Sequence, residues 1–337
     1  MTRKGPRLHF ARCLKERKGP GAGGQGGEEQ VNPAAARLRF ARCLKKPRLF
    51  LCLLAALLLA QEQTIRVDVR LVRLLVSVKD ASGNLIGALT RNDFQVTDSG
   101  VKQEIAVFEH HTEQPLSVAL LVDTSGSTAK DLKYEVDSSI RFLRALVKEG
   151  NTGDALSFFS FNHDVTLHAS FTRNPLQIER SLQKLKAEAG TSVYDAIWFG
   201  AAEVADREGR HVMVMVSDGG DTTSKRTYQD ALRSLHRADA VIYSIVVTPV
   251  TNEAGRNVGG EHALISLSKS TGGRVFFPDV GPALDRAFAE ILRDLRTQYL
   301  IAYYPKNLPE SKSRFRSLSV SVARPDLRVL TRSGYYE

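Results

Sequence analysis

Three oxygen-bearing side chains, Asp123, Ser125 and Ser127, alternate along a loop that directly follows an apolar run ending at Val122. A short β-branched run before turn residues predicts a buried parallel strand, and the polar residues after it predict a helix start. Ligands bind at the carboxyl edge of such sheets. One carboxylate and two hydroxyls are hard donors, which suit Mg²⁺ better than zinc or copper. An isolated D-x-S-x-S, however, is also typical of an ordinary helix cap.

Two further loops carry oxygen donors at equivalent places in the chain. Thr191 lies in a G-T-S sequence before a helical stretch, and Asp218 lies in S-D-G directly after the apolar run VMVMV. In a β/α alternation each of these loops would lie at the carboxyl edge of the sheet. Their positions favour a shared site over three unrelated helix caps.

The ordered combination of D-x-S-x-S, the Thr of G-T-S-V-Y-D-A and S-D-G resembles the metal-ion-dependent adhesion site of von Willebrand factor A domains. The resemblance implies one metal site built by five side chains: Asp123, Ser125, Ser127, Thr191 and Asp218. It implies that the hydroxyls contact the metal while the two carboxylates act largely through bound waters. Mg²⁺ is the expected cofactor, with Mn²⁺ or Ca²⁺ as alternatives. Asp195 is expected to support the Thr191 loop, and Asp221 to line the third loop or cap the helix after it.

The same resemblance implies a protein-binding function. With few directly bound carboxylates, the metal keeps a strong positive charge and an open position that an acidic side chain of a partner can fill. The expected function is therefore metal-dependent adhesion or assembly in the cell envelope or the secreted fraction. A structural envelope component with a purely structural metal and a metal-dependent hydrolase are the alternatives.

The sequence does not favour an enzyme. D-T-S-G at residues 123–126 differs from the aspartic-protease D-T-G, and no second copy supplies a partner carboxylate. Neither a G-x-S-x-G elbow nor a G-x-x-x-x-G-K-[ST] phosphate loop occurs. A metal-assisted phosphatase would need a second acid on the Asp123 loop, where the chain has hydroxyls. We therefore expect no catalytic residues.

Charge and cysteine are confined to the start of the chain. The net charge is +10, and all of this excess lies in residues 1–60, so residues 61–337 are neutral overall. The body of the chain has no cluster of basic and aromatic residues of the kind that binds nucleic acid. Cys13, Cys43 and Cys52 also lie in the leader, so disulfides and cysteine-based zinc sites are excluded from the remainder.

Residues 49–60, LFLCLLAALLLA, form a 12-residue apolar run after a basic flank. This is too short for a bilayer span of about 20 residues and is typical of the core of a secretory signal. Leu58 makes the cleavage motif imperfect, so an uncleaved anchor is the alternative. We expect an exported protein, periplasmic or extracellular. Residues 1–48 are basic and are either a disordered leader or the product of a start assigned too far upstream, with Val31 as one alternative start.

The rest of the chain divides into three segments. Residues 65–113 alternate with period two and predict short strands. Residues 115–298 alternate strands and helices, which predicts a doubly wound, mainly parallel α/β sheet with helices on both faces; Asn162-His163-Asp164 predicts a hairpin that adds one antiparallel edge strand. Residues 299–337 return to β. Because neither β segment alone could bury a core, we expect 65–113 and 299–337 to pair into one discontinuous β domain. The oligomeric state is not predicted.

Overall fold

The computed structural model describes residues 71–110, 114–247, 257–279, 281–310 and 313–337. The basic leader (1–48), the apolar run (49–60) and the ends of the predicted N-terminal β segment (65–70 and 111–113) lie outside the described residues. Within the described part of the chain, no helix is both long and apolar enough to cross a bilayer.

The elements follow one another in the order strands, strand–helix alternation, strands. The strands are β1 (Val72–Lys79), β2 (Phe94–Asp98), β3 (Val101–Gln103), β4 (Ile105–Glu109), β5 (Leu116–Asp123), β6 (Ala155–Phe161), β7 (Val165–Thr172), β8 (Arg210–Ser217), β9 (Ala240–Val246), β10 (Val275–Phe276), β11 (Tyr299–Tyr303), β12 (Phe315–Val322), β13 (Arg328–Leu330) and β14 (Gly334–Tyr336). The helices are α1 (Leu132–Glu149), α2 (Pro175–Leu182), α3 (Val193–Ala205), α4 (Tyr228–Arg237), α5 (Val258–Thr271) and α6 (Pro282–Arg296).

A six-stranded sheet with the order β10-β9-β8-β5-β6-β7 forms the centre of the α/β part. All its pairings are parallel except that of β6 with β7, where the predicted hairpin makes an antiparallel edge. Every residue of β5, β6, β8 and β9 is buried, because helices cover both faces. One apolar cluster packs the sheet against α1, α2 and α6, and the other packs it against α3, α4 and α5. The predicted α/β fold class is confirmed.

One predicted helix boundary is wrong. The periodicity of residues 175–188 predicts a single helix, but α2 ends at Leu182. The residues beyond it instead run back to the carboxyl edge, where Glu188 forms a β-bridge with Ser125. At this bridge the N–H of Glu188 donates to the carbonyl of Thr124 at 2.8 Å, a backbone hydrogen bond that it could not make from within a continued helix.

Two four-stranded sheets combine strands that precede and follow the α/β part. Their orders are β13-β1-β11-β4 and β14-β12-β2-β3. The pairings of β1 with β11 and of β2 with β12 are antiparallel and join residues more than 200 positions apart. A single apolar cluster, which includes the fully buried Leu74 and Tyr303, is shared by the two sheets. We call these eight strands the β region.

Buried charges join the β region to the α/β part. Lys79, at the end of β1, donates to Asp294 of α6 at 2.9 Å, and Arg274 contacts the second carboxylate oxygen at 2.9 Å. A second junction lies at α4, where the buried ring of His236 contacts Phe315 and Tyr336 edge-on.

Candidate metal centre

Asp123 ends the central strand β5 and is fully buried. One carboxylate oxygen accepts the backbone N–H of Ser125 at 2.8 Å, and the other accepts the hydroxyl of Ser217 at 2.6 Å. Burial raises the pKa of Asp123 to about 6, the two serines partly offset that effect, and the charge of Asp218 adds to it. A carboxylate that already accepts hydrogen bonds on both oxygens is suited to acting through metal-bound water.

The hydroxyls of Ser125 and Ser127 lie 2.9 Å apart on the loop that follows Asp123. Ser125 is buried, whereas Ser127 is exposed. The loop is closed by Thr128, whose hydroxyl donates to the carbonyls of Asp123 at 3.3 Å and Ser125 at 3.0 Å. Two hydroxyl oxygens at this separation can bind the same cation.

Thr191 is held on the second loop by its backbone. Its N–H donates to the hydroxyl of Thr222 at 2.9 Å, and its carbonyl accepts the N–H of Thr222 at 2.8 Å. Gly190 before it has a φ of +86°, and a β-carbon there would lie 3.0 Å from the Cβ of His163, so the turn requires glycine. The Thr191 hydroxyl makes no hydrogen bond to any described residue, which leaves it available to a ligand.

Asp218 follows β8 on the third loop and is partly exposed. One carboxylate oxygen accepts the N–H of Gly220 at 3.1 Å, while the other has no hydrogen-bond donor among the described residues. Gly219 has a φ of +84°, and a β-carbon there would lie 2.9 Å from the backbone of Gly260 at the start of α5. This close approach fixes the path of the loop behind Asp218.

Hydrogen bonds tie the three loops to one another pairwise. Glu188 of the second loop donates its N–H to the carbonyl of Thr124 at 2.8 Å. Ser217 joins the third loop to Asp123, and Thr222 joins it to Thr191. The structure thus brings the loops that carry all five predicted residues to one edge of the sheet. The bonds that join the loops involve mostly backbone groups, and of the five predicted side chains only that of Asp123 takes part in them.

Sequence reasoning missed Ser217, and it expected Asp221 to line the third loop or cap the helix that follows, whereas Asp221 caps the helix that precedes it. Asp221 caps α3 across the loops, since one of its carboxylate oxygens accepts the N–H groups of Val193 at 2.8 Å and Tyr194 at 3.3 Å. Ser217 orients Asp123 from the neighbouring strand. Asp195 accepts the N–H groups of Lys225 and Arg226, so it supports the chain after the third loop rather than the Thr191 loop. A cross-loop contact of this kind leaves no periodic signal in the sequence.

The available donors fit a hard divalent cation. They are carboxylate and hydroxyl oxygens, which suit Mg²⁺ and Ca²⁺ rather than zinc or copper. Among the residues described, no group of three or more His, Cys, Asp or Glu side chains is arranged to hold a metal. A cation at this edge would therefore depend on the hydroxyls as well as the acids. The unpaired Thr191 hydroxyl and the second oxygen of Asp218 supply donors with open coordination.

Comparisons with known proteins concern this same part of the chain. Residues 118–220 match the family model described as von Willebrand factor type A domain. No curated protein matches the chain.

Solved structures with a related chain path include three bacterial proteins. An aerotolerance-related membrane protein from Bacteroides fragilis is 18% identical, with 53% of this chain and 98% of that chain covered and a TM-score of 0.42. BatB from Bacteroides thetaiotaomicron is 16% identical over 53% and 98% of the two chains, at 0.43. The vWF domain of the type V pili tip protein Mfa5 from Porphyromonas gingivalis is 13% identical over 53% and 94%, at 0.45. At these identities and TM-scores the similarities carry no information on partners or activity.

The family match covers the chain from β5 to the third loop and contains all five predicted metal-binding positions. The α/β part of this protein, over residues 118–220, is therefore similar to a von Willebrand factor type A domain.

Proposed function

We propose that the three loops form one site for a divalent cation, Mg²⁺ in the first place, and that the bound cation is presented to an acidic side chain of a protein partner. The ligand set is Asp123, Ser125, Ser127, Thr191 and Asp218. The observation that carries the proposal is the network of hydrogen bonds that joins the three loops, while the Thr191 hydroxyl and one oxygen of Asp218 accept no hydrogen bond from any described residue.

The charge balance supports an open position on the cation. Three of the five donors are neutral hydroxyls, and Asp123 already accepts two hydrogen bonds from the protein. Such a donor set leaves much of the cation's positive charge uncompensated, so an added carboxylate would form a strong charge-assisted contact. We infer that the module serves metal-dependent adhesion or assembly. Its setting in the cell envelope or the secreted fraction rests on the apolar run at residues 49–60.

Calorimetric titration of the full chain with Mg²⁺ and Mn²⁺ tests the cation site. We expect binding by the wild type and its loss in Asp123→Ala. The matched control is Asp164→Ala, which removes an exposed aspartate at the same edge of the sheet whose side chain is in no hydrogen bond of the described structure. Equal binding by Asp123→Ala and wild type would refute the proposal.

The relaxation of solvent protons by bound Mn²⁺ separates the adhesive proposal from a purely structural metal. A cation with an open position carries an exchanging water and enhances solvent relaxation, and added acetate should reduce that enhancement. A cation enclosed by protein ligands would give little enhancement and no response to acetate. The second result would make the metal a structural element of the three loops.

A further inference from the structure

Glu135 is a fully buried carboxyl group without a partner. Its exposed fraction is 0%, and neither side-chain oxygen has a hydrogen-bond partner within the described structure. Burying an ionisable group without a compensating partner is strongly unfavourable. Native proteins rarely leave such groups unsatisfied, so the absence of a described partner for Glu135 calls for an explanation.

The position of Glu135 in α1 places it beside the candidate metal centre. It lies in the first turn of the helix, which the carbonyl of Thr128 starts by accepting the N–H of Leu132 at 2.9 Å. Thr128 is also the residue that closes the Asp123 loop. Side chains on a helix lean toward its amino end, and here that end is the carboxyl edge of the sheet.

The charges around Glu135 make its burial harder to sustain without a cation. Burial is the largest cause that raises its pKa, followed by the negative charges of Asp123, Asp131 and Asp218. No basic side chain is among the groups that shift it. Two of these three acids belong to the proposed ligand set. The carboxyl therefore shares the electrostatic environment of the site and lacks both a hydrogen-bond donor and a counter-charge.

We propose that Glu135 is a sixth side chain of the cation site, which accepts hydrogen bonds from the cation's water ligands on the side of α1. This inference rests on the proposed function and extends it. A hydrated divalent cation supplies the two things that Glu135 lacks, a positive charge and O–H donors. Glu135 thereby strengthens cation binding without replacing any of the five ligands. The competing explanation is a neutral, purely structural glutamic acid.

Glu135→Gln distinguishes these explanations because it keeps the size of the side chain and removes its charge. We expect the affinity for Mn²⁺, measured by calorimetry, to fall about 10- to 100-fold, the range found for outer-shell partners of metal ligands. Asp131→Asn is the matched control, since it removes a nearby acid from the partly exposed start of the same helix. Its affinity should stay much closer to that of the wild type. Wild-type affinity in Glu135→Gln would overturn the inference.

Thermal unfolding in excess EDTA gives a second, independent readout. Glu135 has no described protein partner to lose, so metal-free Glu135→Gln should melt at the wild-type temperature or above it. A lower melting temperature would show that the carboxyl has an internal structural partner and would overturn the inference.

The two proposals fail in different ways. If Asp123→Ala abolishes Mn²⁺ binding and Glu135→Gln does not weaken it, only the role of Glu135 is wrong. If the wild type binds no Mn²⁺, both the proposed cation site and the proposed role of Glu135 are wrong.

Discussion

Buried carboxyl groups in the β region and at its junction with α6 have different partners from those at the carboxyl edge of the parallel sheet. Asp98 of the β region is fully buried and accepts the hydroxyls of Tyr303 at 2.7 Å and Tyr335 at 2.9 Å. Asp294, at the junction with β1, contacts one lysine and one arginine. At the carboxyl edge, Asp123 has only neutral donors and Glu135 has none.

On the proposed function, Asp98 and Asp294 stabilise the fold, whereas Asp123 and Glu135 serve the cation. Asp98 and Asp294 have their partners within the protein: Asp98 accepts hydroxyl groups, and Asp294 pairs with two basic side chains. At the carboxyl edge Asp123 accepts hydrogen bonds from neutral groups only, and Glu135 accepts none from the described residues. Local conflicts of this kind are expected at functional sites, where stability is given up for binding.

The largest expected effect is on the stability of the fold and concerns Asp294, which pairs with two basic side chains. Asp294→Ala leaves the charge of Lys79 buried at the β1 junction without its partner. We expect a loss of about 3–5 kcal/mol in the free energy of unfolding, as for other broken buried pairs. Equilibrium urea unfolding measures it. Asp285→Ala, which removes a largely exposed pair with Arg141, is the control and should cost about 1 kcal/mol or less. Similar losses in both variants would contradict the comparison.

The second effect is the loss of stability in acid at the junction where His236 of α4 contacts Phe315 and Tyr336. Burial and the charge of Arg332 lower the pKa of His236 from 6.5 to about 4. The folded protein therefore favours the neutral ring, and its contribution to stability is full above pH 6.5 and is lost as the pH falls toward 4. The loss should amount to about 3 kcal/mol, since one pKa unit is about 1.4 kcal/mol.

Urea unfolding at a series of pH values tests this effect in the presence of EDTA. His236→Phe should remove that part of the slope between pH 6.5 and 4. An unchanged slope in the variant would show that His236 is not the titrating group.

The third effect is at the carboxyl edge. Ser217→Ala removes the hydroxyl that orients Asp123 and should weaken Mn²⁺ binding about 10-fold or more, by the precedent of outer-shell partners. Ser157→Ala is the matched control, because Ser157 lies on β6, which flanks β5 on the side opposite β8, is equally buried and has no hydrogen-bond partner among the described residues. Calorimetry should show unchanged binding in the control. Equal weakening in both would mean that the sheet, and not the Asp123 contact, was disturbed.

The smallest effect is the pH dependence of cation binding. Because the pKa of Asp123 is raised to about 6, a cation that requires its carboxylate must displace a proton below that pH. The apparent Mn²⁺ affinity should therefore fall as the pH drops below about 6, by up to about tenfold per pH unit for one displaced proton. Titrations with Mn²⁺ between pH 5 and pH 8 measure this slope. An affinity that does not change with pH below 6 would show that cation binding does not require the Asp123 carboxylate.

The α/β fold could be predicted from sequence because its signals are periodic and local. The uniformly apolar β5 and β8 mark buried parallel strands, and the turn at residues 162–164 marks the antiparallel edge. The end of α2 could not be predicted, because the Glu188–Ser125 bridge competes with a helix that the sequence alone favours.

The candidate site could be predicted only as far as its residue types and loop positions. The cap that Asp221 provides to α3 joins residues 28 positions apart and has no local signature. Glu135 had a usable signal, since it lies one helical turn before Ser139 and two before Leu143, on the stripe of α1 that is buried. A charged residue on a buried stripe calls for a partner, and only the structure shows that the described residues provide none.

The most direct test of the cation site is anomalous diffraction from crystals of the full chain grown with Mn²⁺. We expect a single strong manganese peak at the carboxyl edge, within coordination distance of the hydroxyl oxygens of Ser125, Ser127 and Thr191. A manganese peak elsewhere, or none at this edge at saturating Mn²⁺, would contradict it.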